Sequence, residues 1–235
     1  MINAELPGFW AIIPAAGVGS RMQADRPKQY LPLAGKTILE HTLACFLDHP
    51  QLRGLVVSLA GDDPYWPLLA CANDSRIERA EGGRERADSV LNGLLRLTEL
   101  GAQEGDWVLV HDAARPNLSR TDLDTLLETL ADDPVGGLLA VPARDTLKRA
   151  GADSRVCETI DRSVVWQAFT PQMFRLGFLH RVLADALVAD VNVTDESSAV
   201  EWAGFAPRLV EGRADNIKVT RPEDLHSLAR NWRKS

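Results

Sequence analysis

Residues 9–21 read FWAIIPAAGVGSR, and this stretch contains the change of pattern on which the predicted fold depends. Residues 9–15 are a short apolar run without alternation, which is typical of a strand buried on both faces of a parallel sheet. Residues 14–21 follow at the carboxyl end of that strand, where open α/β sheets bind ligands. Their small side chains and two glycines let backbone amides approach an anion closely. The stretch therefore predicts a strand followed by a phosphate-binding loop.

The rest of the chain alternates between strand and helix patterns. Strands are predicted at residues 54–60, 76–80, 107–110, 136–141, 208–211 and 217–219, and helices from Thr37, at 64–72, from Arg86, at 121–130, 176–187 and 196–203, and from Pro222. This alternation predicts an α/β fold with a single Rossmann-like, mostly parallel, twisted sheet and helices on both faces. We expect one domain over residues 1–235.

Residues 142–166 break this pattern. They are rich in charge, have no helical period, and alternate at positions such as Val156 and Ile160 around Gly151. Two antiparallel strands that protrude from the main sheet as an arm fit this segment. A lone two-stranded hairpin is only marginally stable in water. We therefore expect the arm to pack on a second subunit and to form a homodimer.

Composition narrows the class of partner and the compartment. The 235 residues have a formal net charge of −7, which argues against nucleic acid or an anionic membrane as the main partner. No apolar run approaches the ~20 residues of a membrane span. Three cysteines without CxxC spacing indicate neither a disulfide framework nor a zinc site. The first residues do not resemble a signal peptide, so a cytoplasmic location is expected.

Two known phosphate loops can be tested against residues 14–22. A Walker A loop is excluded because no Lys-Ser/Thr pair follows Gly19. A dinucleotide fingerprint is disfavoured because Met22 stands where its third small residue belongs. A purely structural turn remains an alternative, since many tight turns share this composition.

Two basic residues favour a reacting phosphate at the loop. Arg21 lies within it, and Lys28 follows in the sequence PKQY at residues 27–30. Nucleotidyl transfer depends largely on positioning and on neutralising phosphate charge. The pair could neutralise the α-phosphate and the departing pyrophosphate, whereas either residue alone would be read as a solvated surface charge.

Six motifs in order resemble the 2-C-methyl-D-erythritol 4-phosphate cytidylyltransferase family. They are PAAGVGSRM at 14–22, PKQY at 27–30, HDAARP at 111–116, RDTLK at 144–148, TDE at 194–196 and EGRADNIKVT at 211–220. The resemblance runs from about residue 9 to 228. It implies a nucleotidyltransferase domain that condenses CTP with methylerythritol phosphate in isoprenoid synthesis by the non-mevalonate route. It also implies that the arm embraces a second subunit.

The same resemblance implies a nucleotide half of the site. Arg21 and Lys28 would stabilise the transition state at the α-phosphate. The residues implied to contact the nucleotide are Pro14, Ala15, Ala16, Gly17, Gly19, Gly82, Gly83, Ser89, Asp112 and Ala113. Asp112 could also approach Mg²⁺, the expected cofactor, as a carboxylate at a strand end. Two other interpretations stay open: Asp112 is a turn residue, or phosphates and water hold the ion.

An acceptor half is implied as well. The residues that would hold methylerythritol phosphate are Arg115, Thr146, Arg162, Thr194 and Lys218. Arg162 and Lys218 would grip its phosphate so that an oxygen points at the α-phosphorus, an arrangement in which misplacement by ~1 Å is costly. Thr146 and Arg162 fall on the arm, so a neighbouring subunit could supply them.

Two other functions are compatible with parts of this pattern. A cytidylyltransferase for another alditol phosphate, such as ribitol 5-phosphate, would share the nucleotide half and differ only in the acceptor pocket. A non-catalytic nucleotide-binding dimer would not need Arg21, Lys28, Arg162 and Lys218 together. Methylerythritol phosphate is the predicted acceptor.

Overall fold

The computed structural model describes residues 6–17 and 25–232, with side chains to residue 229. Its strands are β1 (Phe9–Pro14), β2 (Pro32–Leu33), β3 (Lys36–Thr37), β4 (Leu52–Leu59), β5 (Ile77–Glu81), β6 (Trp107–Val110), β7 (Gly137–Pro142), β8 (Leu147–Ala150), β9 (Val156–Ile160), β10 (Trp166–Arg175) and β11 (Arg208–Glu211). Its α-helices are α1 (Ile38–Leu47), α2 (Arg86–Glu99), α3 (Arg120–Leu130), α4 (Leu176–Val188), α5 (Glu196–Trp202) and α6 (Pro222–Trp232).

Within the described residues, seven strands form the main sheet in the order β11-β7-β10-β6-β1-β4-β5. Strand β10 runs antiparallel to its neighbours β6 and β7, while the other neighbouring pairs are parallel. The predicted mostly parallel sheet is confirmed. Because β1 lies between the parallel strands β4 and β6, the loops after these strands meet at one edge of the sheet.

Helices cover both faces of this sheet, as predicted. Ala11 and Ile13 of β1 pack in the cluster that contains α1 and α3, whereas Ile12 packs in the cluster of α2, α4 and α5. Successive strand side chains point to opposite faces, so a strand between two helical layers needs apolar residues at every position. This requirement explains the unbroken apolar run at the start of the chain.

Two predicted elements are wrong. Residues 64–72 do not form a helix but two short 3₁₀ turns, Trp66–Leu68 and Ala70–Asn73. Pro67 lies inside this segment, and a proline in a helix interior removes a hydrogen bond and clashes with the preceding turn. Residues 217–219 are not a strand: the Val219 N–H donates to the Ala114 carbonyl at 2.8 Å, without a ladder among the described strands.

The sequence patterns also missed β10, the longest strand of the main sheet within the described residues. Its pairing with β7 shifts register between Ala168 and Gln172, a stretch that contains Pro171. Proline lacks a ladder donor and is tolerated in strands at such irregularities. The interruption hid the strand, because neither half has a clear alternation. The small β2–β3 pair was missed as well.

The predicted antiparallel arm is confirmed as a hairpin. The chain leaves the sheet after Pro142, forms the β8–β9 pair, and returns where Trp166 pairs with Pro142. Most side chains of the hairpin are exposed, including Val156 at 63%. Its use in dimerisation remains a prediction.

Among the residues described, no helix has the length and apolar character needed to cross a membrane.

Candidate active site

The loop after β1 is tied to the sheet and then opens toward solvent. The Ala15 N–H donates to the Ser58 carbonyl of β4 at 2.8 Å, and Ala15 is buried. Ala16 is half-buried and Gly17 is exposed. Their backbone N–H groups find no acceptor among the described residues. Gly19 and Arg21, which the sequence also assigned to this loop, lie outside the described residues.

A second glycine loop packs directly against the first. A Cβ atom added to Gly82 would lie 2.2 Å from the Cβ of Ala16 and 3.1 Å from the Leu59 carbonyl oxygen. The Gly83 N–H donates to Ser89 Oγ at 3.0 Å, and that hydroxyl donates to the Glu85 carbonyl at 3.1 Å. Ser89 is buried and holds this loop in shape. Only glycine at position 82 allows the two loops to approach so closely.

Asp112, just beyond β6, is the electrostatic centre of the site. Its Oδ1 accepts from Arg86 Nε at 3.2 Å, and its Oδ2 accepts from Arg115 Nε at 3.2 Å and from Lys218 Nζ at 2.9 Å. Burial would raise the pKa of the Asp112 carboxyl, but the charges of Arg86, Lys218 and Arg115 outweigh it and hold that pKa far below its usual range. Asp112 is therefore a permanent anion that orients three cations.

Arg86 is held by a second carboxylate. Its two terminal nitrogens contact the two oxygens of Glu196 at 2.6 and 3.1 Å, and the Glu196 side chain is fully buried. Burial would lower the pKa of Arg86, but Glu196 and Asp112 outweigh it and raise that pKa. Such fork-to-fork pairing fixes the guanidinium plane as well as its charge. Arg86 begins α2, whose N-cap Glu85 forms a capping box with Asp88.

A chain of hydrogen bonds fixes the backbone around Asp112. The Asp112 N–H donates to Thr170 Oγ1, Thr170 Oγ1 lies 3.0 Å from His111 Nδ1, and His111 Nε2 lies 2.9 Å from the Arg115 carbonyl. A carbonyl only accepts, so the proton of neutral His111 is on Nε2 and Thr170 donates to Nδ1. Burial lowers the pKa of His111 to about 4, so its ring is neutral at pH 7.

Two adjoining clefts share the residues around Asp112. The first is lined by the two glycine loops together with Lys28, Gln29, Arg84 and Ala113. The second is lined by residues that include Arg115, Thr170, Thr194 and Asp195. Arg86, Asp112 and Lys218 line both clefts. The ion-pair network that includes this shared wall joins three cations, Arg86, Arg115 and Lys218, to the two carboxylates of Asp112 and Glu196, and so carries an excess of positive charge.

The structure brings together most of the predicted nucleotide residues. Those that line the first cleft are Pro14, Ala15, Ala16, Gly17, Lys28, Gly83, Ser89, Asp112 and Ala113. Lys218, which was predicted for the acceptor half, lines this cleft as well. Gly82 does not line it but sets the distance between its loops. Lys28 Nζ donates to the Val219 carbonyl at 3.1 Å. Because Val219 follows Lys218 in the sequence, this bond brings the Lys28 side chain to the segment that carries Lys218.

The predicted acceptor residues divide into two groups. Arg115, Thr194 and Lys218 line the second cleft. Thr146 and Arg162 are exposed at the base of the arm, where Arg162 donates to the Arg144 carbonyl, and the described lining of neither cleft includes them. The residue roles inferred from sequence remain predictions.

Sequence reasoning missed three residues of this site: Gln29, Arg86 and Glu196. Gln29 and Glu196 stand inside the motifs PKQY and TDE, and Arg86 is the first residue of a predicted helix, three positions after Gly83. These positions were the available signal. A sequence motif does not give the direction of a side chain, and it does not show which distant residue that side chain contacts.

The described side chains do not form a cage for a metal ion. No group of three His, Cys, Asp or Glu residues comes together within residues 6–17 and 25–229. Asp112 is the one carboxylate in the described lining of the first cleft, and both of its oxygens already contact cations. This donor set fits Mg²⁺ only in its common mode, in which substrate phosphates and water provide most ligands.

Glycine loops, convergent cations and a double cleft at the carboxyl edge of a Rossmann-like sheet define a nucleotidyltransferase. A family profile for 2-C-methyl-D-erythritol 4-phosphate cytidylyltransferase matches residues 9–231. The chain belongs to this family, and its activity is CTP-dependent cytidylyl transfer in the methylerythritol phosphate pathway.

Known proteins agree in sequence and in fold. The 2-C-methyl-D-erythritol 4-phosphate cytidylyltransferase of Pseudomonas entomophila is 76% identical over 231 residues, covering 98% of each chain. A crystal structure of a 4-diphosphocytidyl-2C-methyl-D-erythritol synthase superimposes with a TM-score of 0.82 at 40% identity, covering 94% of this chain and 98% of the other. The cytidylyltransferase structure from Thermus thermophilus gives a TM-score of 0.77 at 30% identity, covering 96% of this chain and 99% of the other.

Proposed function

We propose that CTP occupies the first cleft and 2-C-methyl-D-erythritol 4-phosphate the second, and that cytidylyl transfer takes place at their shared wall. The products are 4-diphosphocytidyl-2-C-methyl-D-erythritol and pyrophosphate. The observation that carries this assignment is that Arg86, Asp112 and Lys218 line both clefts. Two phosphates bound on either side of these residues would meet where positive charge is in excess.

The proposed reaction is an in-line attack without a covalent enzyme intermediate. An oxygen of the acceptor phosphate attacks the α-phosphorus of CTP, and pyrophosphate leaves from the opposite side. The nucleophile is already an anion, so no general base is needed. His111 fits this view, because it is buried, neutral and engaged at both ring nitrogens.

Each half of the site would supply charge and orientation. Lys28 and Arg21 would neutralise the charge that develops on the α-phosphate and on the leaving pyrophosphate. Lys218, held by Asp112, would hold the acceptor phosphate close to the first cleft. Orientation of two bound reactants removes much of the entropic cost of their meeting.

We further propose that the chain works as a homodimer in which the arm carries Thr146 and Arg162 to the acceptor cleft of the neighbour. Both residues are exposed, outside the lining of the clefts of their own chain. An apolar groove at the base of the arm, lined in part by Val164, Phe205 and Leu209, offers a surface for the second copy. Val164 is 77% exposed, which is costly for a large apolar side chain in an isolated chain.

Magnesium and compartment belong to the same proposal. Mg²⁺ would enter with CTP and neutralise phosphate charge, held mostly by phosphates and water, with Asp112 as the one carboxylate in the described lining of the first cleft. A cytoplasmic location is supported by the free thiols of Cys45, Cys71 and Cys157.

The test is pyrophosphate release by the purified protein with CTP, with and without Mg²⁺, and with each of two acceptors. We expect release with methylerythritol phosphate and Mg²⁺, and its loss when EDTA removes the ion. Release with ribitol 5-phosphate but not with methylerythritol phosphate would overturn the acceptor assignment. Binding of CTP without turnover on either acceptor would favour a non-catalytic nucleotide-binding protein.

A further inference from the structure

We propose that Gln29 is a positioning residue for the nucleotide: its side-chain amide holds the loop after β1 so that backbone N–H groups face the triphosphate of CTP. The inference rests on the proposed binding of CTP in the first cleft. Gln29 is 3% exposed and lies within the short turn Lys28–Tyr30.

The amide of Gln29 bonds the loop twice. Nε2 donates to the Ala15 carbonyl at 2.6 Å and to the Gly17 carbonyl at 3.2 Å. An amide nitrogen carries two N–H donors, and both are directed to the backbone of this one loop. The opposite amide orientation would set an oxygen against two carbonyl oxygens, so the chemistry fixes the orientation.

This anchoring determines which way the loop peptides face. The C=O and N–H of a trans peptide point in opposite directions. Holding the Ala15 carbonyl on the buried side, against Gln29, turns the N–H of Ala16 toward the open side. That N–H has no acceptor among the described residues, and it is the kind of free donor from which anion-binding concavities are built.

Gln29 also joins the loop to Lys28. The two residues are adjacent in the same turn, which is anchored at its other end where Tyr30 Oη donates to Asp63 Oδ2 at 2.8 Å. A shift of Gln29 would therefore move both the loop amides and Lys28. These are the groups assigned to the triphosphate, whereas the acceptor cleft does not include Gln29.

Two substitutions of nearly the same size test the role. Gln29→Met removes both donors, and Gln29→Glu replaces them with a carboxylate that faces two carbonyls and lies beside the bound triphosphate. We expect the Kd and KM for CTP to rise about tenfold or more in Gln29→Met, in line with loss of a buried hydrogen bond, and further in Gln29→Glu. The KM for the acceptor should not change.

Controls separate positioning from loss of stability. Gln103→Glu makes the same chemical change at an exposed position whose side-chain amide donates to the Gly101 carbonyl, and it should leave the Kd for CTP unchanged. Leu127→Ala truncates a fully buried residue of α3, and it should lower Tm without raising the KM for CTP.

The outcomes are distinguishable. If both Gln29 variants bind CTP as the wild type does, or if their KM values for CTP and acceptor rise equally, the positioning role is wrong. If Gln29→Glu does not fold, Gln29→Met decides between these results. If the wild-type protein itself fails to bind CTP by calorimetry, the proposed function is overturned rather than the role of Gln29.

Discussion

At the scale of single residues, Asp112 organises the site because both of its oxygens contact cations, two of which, Arg86 and Lys218, come from distant parts of the chain. Arg86 begins α2, and Arg115 follows β6. Lys218 precedes α6. A buried carboxylate with three cationic partners is stable as an anion, whereas removing one partner leaves charge uncompensated. The site is thus preformed around a group that need not react.

Lys28→Ala should slow turnover much more than it lowers stability. The expected loss is about 10²–10³-fold in kcat, the range seen when one preorganised transition-state donor is removed. Steady-state pyrophosphate release and thermal unfolding measure the two effects. Lys36→Ala, at an exposed position on β3, is the matched control and should be fully active. A fully active Lys28→Ala variant would show that the assigned role is wrong.

Acid should destabilise the protein through His111. The pKa of His111 is lowered to about 4 in the folded state, against an ordinary value of 6.5. Between these values the unfolded chain binds more protons, so the free energy of unfolding falls as pH drops from 6.5 to 4 and is fully retained above 6.5. The loss is on the order of 3 kcal/mol from this residue.

Urea unfolding at several pH values measures this slope. In His111→Gln the slope between pH 6.5 and 4 should be shallower, although the variant is less stable at pH 7. Burial lowers the pKa of His49 as well, so some slope in the same direction should persist. An unchanged slope in His111→Gln would assign the acid sensitivity to other groups.

At the scale of elements, the shape of the first cleft depends on how closely two loops approach. The loops after β1 and β5 belong to strands separated by β4, yet Gly82 allows the second loop to contact Ala16 of the first. Their spacing is set by backbone contact rather than by a flexible side chain.

Gly82→Ala should therefore weaken CTP binding and stability together. The added methyl group would lie 2.2 Å from the Cβ of Ala16 and 3.1 Å from a carbonyl oxygen, so one loop must move. We expect a stability loss of about 1–3 kcal/mol, typical of overpacking, and a higher KM for CTP. Gly105→Ala is the control, because nothing lies within 4 Å of its added Cβ. Equal behaviour of the two variants would argue against a steric role for Gly82.

At the scale of the whole molecule, the arm separates residues that are predicted to serve one reaction. Arg115, Thr194 and Lys218 line the second cleft, while Thr146 and Arg162 lie on the exposed arm. A dimer in which arms are exchanged would complete both acceptor sites at once, because a two-fold axis makes each contact twice.

Co-expression of two inactive chains tests this sharing. Arg162→Ala and Lys218→Ala should each be nearly inactive alone. A mixed dimer would contain one site with both native residues, so activity should reappear in the mixture. Pairing either chain with the Arg162→Ala/Lys218→Ala double variant is the control and should restore nothing. Absence of recovery in a mixture shown by light scattering to be dimeric would place both residues in one chain.

Local chemistry explains why much of the fold could be predicted. The apolar run of β1 is continuous, and the apolar residues of α2 and α4 recur at helical intervals. These patterns indicate which faces of the elements are buried. Prediction failed where a single proline interrupts the periodic pattern. Pro67 lies within the expected helix at 64–72, and Pro171 interrupts the alternation of β10. The candidate site was predictable to a similar extent. A glycine loop is a local sequence pattern, whereas the hydrogen-bond partners of Arg86 and Gln29 lie in other parts of the sequence.

The sequence by itself therefore determined the α/β class, the glycine loop after the first strand, the hairpin arm and the family. Only the tertiary structure decided that Arg86 joins Asp112 to Glu196, that Gln29 bonds Ala15 and Gly17, and that two clefts share a wall. The physical reason is that periodicity reports which face of an element is buried. Hydrogen bonds and ion pairs depend on where chain folding brings residues that lie up to 191 positions apart.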